Sequence, residues 1–210
     1  MILEACVETL AKAQAAEAGG AHQIELCANL ELDGLTPDLA LVEATLRSLR
    51  IPVKVMIRPR AGTFVFTEEE VEKMVEEIED RKAIGAKHFV IGLATAENEL
   101  DIRNMRHICA RFPEADFTLH KVIDTIRHPL EAILQLNSIP NLRSILTSGG
   151  APTALEGAEL ILAMHRNLLA DKQVIAAGKI TTKNLAEVIA KIPVGAYHGR
   201  NIIEWSVPTD

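Results

Sequence analysis

The sequence predicts a compact parallel (β/α)8 barrel of the TIM type, formed by 210 residues as a single domain. Short apolar runs alternate with longer amphipathic segments, and eight strands and seven clear helices follow one another with short connections. No glycine-rich phosphate loop follows the first strand, where Glu8-Thr9-Leu10 stands instead. This disfavours the competing open, doubly wound sheet. We expect the eighth helix to be short or missing.

The predicted strands combine short apolar runs with turn signals. They span residues 2–7, 23–27, 53–57, 88–92, 116–120, 143–147, 173–177 and 195–198. Pro59 ends the third strand, because proline cannot donate to a sheet ladder, and it pushes Arg58 toward an extended backbone. Residues 199–210 show no period that predicts an element.

The predicted helices rest on apolar residues at helical spacing and on start and stop signals. They span residues 8–18, 36–49, 67–84, 100–112, 129–136, 153–169 and 181–192. Thr36-Pro37 provides a cap and a first-turn proline for the second helix. Thr67 and Glu70 form a capping box for the third helix, which Gly85 ends.

Composition excludes several classes of partner. With a net charge of −7 and no Lys/Arg-rich tract, the chain has the wrong sign for nucleic acid. Aromatic residues make up 3% of the chain and offer little surface for stacking bases, so we expect no nucleotide cofactor. No apolar run approaches the roughly 20 residues that cross a bilayer, and no signal peptide is evident, so we expect no membrane association.

The three cysteines predict free thiols. Cys6, Cys27 and Cys109 are odd in number and widely spaced, with no CxxC motif. Without a secretion signal this favours the reducing cytoplasm. Cys109 stands at an apolar position inside a predicted helix and is interpreted as structural.

Ionisable and glycine residues gather at the carboxyl ends of the predicted strands, where both candidate folds bind ligands. The candidates are Glu4, Cys6, Glu8, Glu25, Cys27, Asn29, Arg58, Arg60, His120, Lys121, Asp124, Thr147, Ser148, Gly149, Gly150, Gly178, Lys179, His198 and Arg200. Their cationic members would focus an anionic ligand on an otherwise acidic protein.

Three groups within this set suggest chemistry. An anion site is predicted from Arg58 and Arg60, whose guanidinium forks suit carboxylate or phosphate; Lys121, Lys179 and His198 add to it, and Ser148-Gly149-Gly150 is a predicted backbone cradle. His120 with Glu25 is the predicted acid/base pair. Asp124 is expected to fix Lys121 or an arginine.

Each group also has a structural interpretation, and the sequence leaves both open. The two arginines would then be surface residues at a strand exit, and His120 with Glu25 would be an ion pair that holds the barrel mouth together. The glycine pair would simply end a strand.

At these positions the sequence resembles the CutC family of copper homeostasis proteins. The matching segments are Leu3-Glu4-Ala5-Cys6, Gly20-Ala21-His22-Gln23-Ile24-Glu25-Leu26-Cys27, Gly34-Leu35-Thr36-Pro37, Met56-Ile57-Arg58-Pro59-Arg60, Thr118-Leu119-His120-Lys121-Val122-Ile123-Asp124, Ile145-Leu146-Thr147-Ser148-Gly149-Gly150 and Tyr197-His198-Gly199. They run in order through nearly the whole chain.

The resemblance implies a TIM-type barrel, a cytoplasmic location, a role in copper handling, a homodimer, and Cys6 and Cys27 as Cu(I) ligands. Soft thiolates suit Cu(I). The alternative is that both cysteines are simply small, buried apolar residues, which is a common role of free cysteine. The sequence departs from the family pattern at Lys121, where the family usually has arginine, and at Lys179, which stands in a usual run of glycines. Both departures put the identity of the ligand in doubt.

Three functions follow as hypotheses. The first is a cytoplasmic copper-binding or trafficking protein that uses Cys6 and Cys27. The second is an enzyme acting on a small phosphorylated or carboxylated metabolite, with the arginines holding the anion and His120 with Glu25 moving protons. The third is an inactive scaffold.

Overall fold

The computed structural model describes residues 1–205 and shows the predicted barrel. Eight parallel strands are hydrogen-bonded in sequence order, and β8 pairs with β1 to close the sheet. The strands are β1 (Ile2–Val7), β2 (Gln23–Leu26), β3 (Val53–Met56), β4 (His88–Ile91), β5 (Asp116–Leu119), β6 (Leu142–Thr147), β7 (Gln173–Ala176) and β8 (Ala196–Gly199). Of the stretch with no predicted element, residues 206–210 lie outside the described residues.

Seven α-helices connect the strands. They are α1 (Leu10–Ala18), α2 (Leu39–Ser48), α3 (Glu68–Ala83), α4 (Ile102–Arg111), α5 (Pro129–Leu136), α6 (Ala158–Asn167) and α7 (Leu185–Lys191). Two 3₁₀ helices, Leu30–Leu32 and Lys121–Thr125, follow β2 and β5. Within residues 1–205 no α-helix follows β8, as expected for so short a barrel, and no described helix is long and apolar enough to span a bilayer.

The third helix forms as its sequence predicts. Thr67 Oγ1 accepts from the Glu70 N–H, and Glu70 accepts from the Thr67 N–H, so the capping box is complete. Its apolar residues at helical spacing are all buried: Val71, Met74, Val75 and Ile78. This stripe packs into the main apolar core between the sheet and the helices.

Three helices begin three or more residues later than predicted. The starts of α2, α6 and α7 are Leu39, Ala158 and Leu185 rather than residues 36, 153 and 181. In front of α6, Thr153 accepts from the Glu156 N–H at 3.2 Å and closes a separate turn instead of starting the helix. The start signals in the sequence therefore marked the turn before each of these helices and not its first residue.

Thr36 illustrates why a cap signal was misassigned. Asp38 caps α2 instead, because its carboxylate accepts from the Leu41 N–H at 2.7 Å. The Thr36 hydroxyl accepts from the Arg58 N–H and donates to Glu77, both at 2.8 Å. Thr36 thus ties the loop after β2 to the end of β3, where the site lies.

Strand register decides which side chains enter the barrel. Glu4 is the Cα partner of Gln23 and of His198, and Glu25 is the partner of Lys54. Since side chains alternate along a strand, paired residues share a face. The interior face defined in this way carries Glu4, Cys6, Gln23, Glu25, Cys27, Lys54, Met56 and His198.

The apolar residues inside the barrel form two small clusters that are separate from the main core. One contains Cys6, Cys27, Leu30, Met56 and Val90, and the other contains Leu146, Ile175, Ala177 and Ala196 with Ile2 packed against it. The other buried residues on this interior face are polar or ionisable, and the site is built on them.

Candidate functional site

A cavity of about 750 Å³ opens at the carboxyl ends of the strands. Its lining includes most of the predicted site residues: Cys6, Glu25, Cys27, Arg58, His120, Lys121, Asp124, Lys179 and His198. Its volume falls in the range of small-molecule sites. The other predicted ligand residues, Arg60 and Ser148-Gly149-Gly150, are not among the lining residues.

Below the cavity, the fully buried carboxylate of Glu4 links β1 to three other strands. Glu4 Oε2 lies 2.7 Å from Lys54 Nζ and accepts from Gln23 Nε2 at 2.6 Å. Glu4 Oε1 lies 2.8 Å from His198 Nδ1. Burial alone would raise the pKa of Glu4, but Lys54 and His198 outweigh it and lower the pKa to about 2.

The second carboxylate, Glu25, lies between the two thiols. Its Oε2 is 3.3 Å from Cys6 Sγ and 3.5 Å from Cys27 Sγ, and these ligand atoms all lie within 4.8 Å of one another. His198 Nε2 is 3.8 Å from the same oxygen. Cys6 is the strand partner of Glu25, and Cys27 follows Glu25 by two residues, so all three point inward.

The ionisation of this cluster follows from burial and proximity. A hydrogen bond from Cys27 lowers the pKa of Cys6 well below its ordinary value, against the effect of burial, and the same bond raises the pKa of Cys27. Burial, and then the negative charge of Cys6, raise the pKa of Glu25 to about 8. Burial would lower the pKa of His198, but Glu25, Cys6 and Glu4 raise it well above its ordinary value.

These directions favour the charged forms of Glu4, Cys6 and His198 and the protonated form of Glu25. Groups of opposite charge lie next to each other in the cluster, which offsets the cost of burying them. The lowered pKa of Cys6 and the raised pKa of Cys27 favour a thiolate beside a neutral thiol at the floor of the cavity.

The sequence interpretation missed Met56 as a site residue. Met56 is 4% exposed, lines the cavity and belongs to the same interior cluster as Cys6 and Cys27. Continuing the β2–β3 register by one residue beyond the Leu26–Val55 pair sets Met56 beside Cys27. The signal was available in the sequence, since Met56 follows the inward-facing Lys54 by two residues.

His120 lies apart from the partner that the sequence suggested. Its Nδ1 accepts from the Val122 N–H at 3.1 Å, and its ring lies 4.8 Å from the Phe64 ring centroid. No hydrogen bond joins His120 to Glu25 among the described residues, and Nε2 has no hydrogen-bond partner there. Burial, and then the charge of Arg58, lower the pKa of His120 to about 3, so its imidazole is neutral.

The two arginines are held by the protein itself. Arg58 is 4% exposed and donates to the backbone carbonyls of Leu32, Gly34 and Gly62 at 3.0 to 3.2 Å. Its guanidinium carbon lies 4.8 Å from the centroid of Phe64. Arg58 lines the cavity with both terminal nitrogens engaged, while its buried Nε has no hydrogen-bond partner among the described residues.

Arg60 is directed away from the cavity. It forms an ion pair with Glu70 and donates to the carbonyls of Thr63 and Val65. Its guanidinium carbon lies 4.7 Å from the ring centroid of Phe66. The structure thus separates Arg60 from Arg58, which the sequence had grouped in a single anion site.

The glycine cradle at the end of β6 holds a carboxylate of the chain. Asp124 accepts from the N–H groups of Ser148 and Gly150, each at 2.9 Å, and from the Ser148 hydroxyl at 2.9 Å. The Gly149 N–H donates to Thr147 Oγ1 at 2.9 Å. The Ser148 and Gly150 N–H groups, which the sequence suggested for a bound anion, thus donate to a side chain of the protein.

The rim of the cavity carries the remaining cations. Lys121 Nζ lies 3.7 Å from Asp124, with about half of its side chain exposed, while Lys179 is exposed and has no ion-pair partner among the described residues. Lys179 adopts a φ of +54°, a conformation in which glycine is less strained. Arg200 donates to the Leu30 carbonyl.

Comparisons with known proteins agree with one another. A sequence model described as the CutC family matches residues 1–203. The chain is 33% identical over 200 residues to a human protein named copper homeostasis protein cutC homolog. The matched region covers 94% of this chain and 72% of the relative. It is 36% identical over 202 residues to a family protein CutC from Agrobacterium fabrum, covering 94% of this chain and 78% of the relative.

A solved structure of CutC from Streptococcus agalactiae has the same fold. It matches with a TM-score of 0.90 at 25% sequence identity and covers 96% of this chain and 99% of that chain. The match extends over nearly the whole barrel.

Proposed function

The chain belongs to the CutC family, and from that premise we propose that it takes part in copper homeostasis by binding Cu(I) at Cys6 and Cys27. The observation that carries the proposal is the convergence of the two thiols with Glu25 on the floor of an open cavity. Thiolate and thioether sulfurs are the ligands that Cu(I) prefers.

The residues present fit a soft cation. Cys6 has a lowered pKa and supplies a thiolate, and Glu25 Oε1 is buried with no hydrogen-bond partner among the described residues. His198 lies against the same carboxylate and balances the added negative charge. We propose that Cys6 and Cys27 hold the ion, that Met56 provides a third sulfur, and that Glu25 and His198 tune the thiols.

The test is an anaerobic Cu(I) titration against a competing chelator. We expect about one Cu(I) per wild-type chain and loss of this binding in Cys6→Ser/Cys27→Ser, since serine is a poor ligand for soft copper. Cys109→Ser is the matched control, because Cys109 is buried on α4 and does not line the cavity. Unchanged stoichiometry and affinity in the double variant would sink the proposal.

Met56→Leu tests the third sulfur. Because the change conserves volume, it should cost less than about 1.5 kcal/mol in unfolding free energy, while Cu(I) affinity should fall about tenfold. Met74→Leu is its control, since Met74 is equally buried but lies on α3 in the main core. Equal affinities for the two variants would remove Met56 from the site.

A second candidate function is binding of a small anionic metabolite, with or without catalysis. The observation that favours it is the cavity itself, since about 750 Å³ is far more than one metal ion fills. Lys121, Lys179 and the charge of Arg58 would attract the anion. Proton transfer by His120, Glu25 and Asp124 has less support, because they form three separate groups in the structure.

Location and assembly are proposals as well. We propose the cytoplasm, on the grounds that the three cysteines are free and buried. We also propose a homodimer, for which the exposed Leu130 and Leu134, one turn apart on α5, offer an apolar surface. Light scattering during gel filtration would test the dimer, and a Leu134→Lys variant should shift it to monomer.

A further inference from the structure

We infer that the cavity contains a second site, centred on His120, for a small organic carboxylate or phosphate that accepts a hydrogen bond from the His120 Nε2–H. The inference rests on the anionic-ligand proposal and is independent of copper. It assigns His120 the role of a neutral donor to the ligand.

The hydrogen bonds of His120 fix its tautomer. Nδ1 accepts from the Val122 backbone N–H at 3.1 Å and so cannot carry a proton. The ring is neutral, which leaves its single proton on Nε2. The residue is 5% exposed, lines the cavity, and has no partner for Nε2 among the described residues.

The absence of a side chain at Gly92 leaves the space that the His120 ring occupies. A Cβ added at Gly92 would lie 2.6 Å from His120 Nδ1 and 2.7 Å from Val122 Cγ1, so no side chain fits at that position. Phe64 packs against the His120 ring, with 4.8 Å between the two ring centroids. A buried imidazole held in this way has a fixed direction for its N–H.

A protonated Nε2 also decides the class of ligand. It cannot bind a metal without losing its proton, but it can donate to a carboxylate, a phosphate or another acceptor oxygen. The positive charge of Arg58 is close enough to lower the pKa of His120, so it also favours an anion there. Lys121 and Lys179 stand on the rim, and the lining carboxylate of Asp124 is already bound to Ser148 and Gly150.

Acetate and inorganic phosphate are the probes, titrated separately at constant ionic strength into protein labelled with ¹⁵N-histidine. We expect a saturable shift of the His120 Nε2–H resonance, and the probe with the larger response identifies the oxyanion class. His120→Phe should weaken binding about tenfold because it removes the donor. His120→Gln keeps a nitrogen donor and should recover part of that loss.

Controls separate the inference from both proposals. Binding should persist in copper-free wild-type protein and in Cys109→Ser, whose altered residue does not line the cavity, and melting temperatures check that each variant is folded. If wild type binds neither acetate nor phosphate at concentrations up to about 50 mM, a dissociation constant of that order being very weak, both the anionic-ligand proposal and this inference are overturned. Binding that is equal in wild type and His120→Phe, or a glutamine variant no better than the phenylalanine variant, would overturn the inference alone.

Discussion

At the scale of the residue, Glu25 shows how burial sets chemistry. It is 3% exposed, and its pKa is raised from an ordinary 4.5 to about 8 by burial and by the neighbouring Cys6. Its folded pKa therefore lies above its unfolded pKa. Its contribution to stability is fully present below about pH 4.5 and is lost as the pH rises through about 8.

Glu25→Gln tests this assignment, because glutamine resembles the protonated acid in shape and cannot ionise. We expect the variant to be close to wild type at pH 5 and more stable than wild type at pH 9, by up to about 4 kcal/mol. Urea unfolding at a series of pH values measures the difference. Glu43→Gln, on the exposed surface of α2, is the control and should change stability by under about 0.5 kcal/mol throughout. A Glu25→Gln difference that does not vary with pH would contradict the raised pKa.

At the scale of the element, one 3₁₀ turn organises the end of a neighbouring strand. The 3₁₀ helix Lys121–Thr125 follows β5 and carries Asp124 to the loop after β6. In that loop Gly149 and Gly150 have φ values of +70° and +69°, which glycine adopts most easily. A Cβ at Gly149 would also lie 2.8 Å from Gly157 Cα, so the tight loop needs glycine for room as well.

Asp124→Ala should therefore destabilise the barrel substantially. It removes the acceptor for two backbone N–H groups and for the hydroxyls of Thr147 and Ser148, at a cost of about 3 kcal/mol in unfolding free energy. Chemical denaturation gives the value directly. The control is Asp171→Ala, which removes an exposed partner of Arg143 and should cost under about 1 kcal/mol. Equal small losses in both variants would mean that Asp124 does not hold the loop.

At the scale of the whole molecule, the interior of the barrel is stabilised by paired charges as well as apolar packing. The ion pair between Lys54 and Glu4 joins β3 to β1, and the contact between Glu4 and His198 joins β1 to β8, where the barrel closes. Buried pairs of this kind are costly to break, since the remaining partner cannot reach water.

Lys54→Met is expected to cost about 3–5 kcal/mol of unfolding free energy, because it leaves Glu4 buried with too little positive charge. Adding Glu4→Gln should recover part of the loss, as a double-mutant cycle would show. The surface variant Arg47→Met, whose side chain is 79% exposed in a pair with Glu43, should cost under about 0.5 kcal/mol. A cost below about 1 kcal/mol for Lys54→Met would show that the interior pair adds little.

Most of the architecture could be predicted because its causes are local. Apolar periods and stop signals located every strand to within a residue or two, and the carboxyl ends of those strands do form the cavity. The predicted starts of α2 and α6 were three and five residues too early, because Thr36 and Thr153 make cross-loop or turn bonds that resemble caps. The pattern cannot say whether a hydroxyl will find its partner within the helix or outside it.

The sequence by itself determined the fold class, the strand ends that line the cavity and the presence of two cysteines among them. Only the tertiary structure decided which of those side chains meet: Glu25 with the thiols and His198 rather than with His120, Asp124 rather than a ligand in the glycine cradle, and Arg60 outside the cavity. The physical reason is that a partner is chosen by register between strands and by the path of the loops. Both depend on closure of the barrel by residues far apart in the chain.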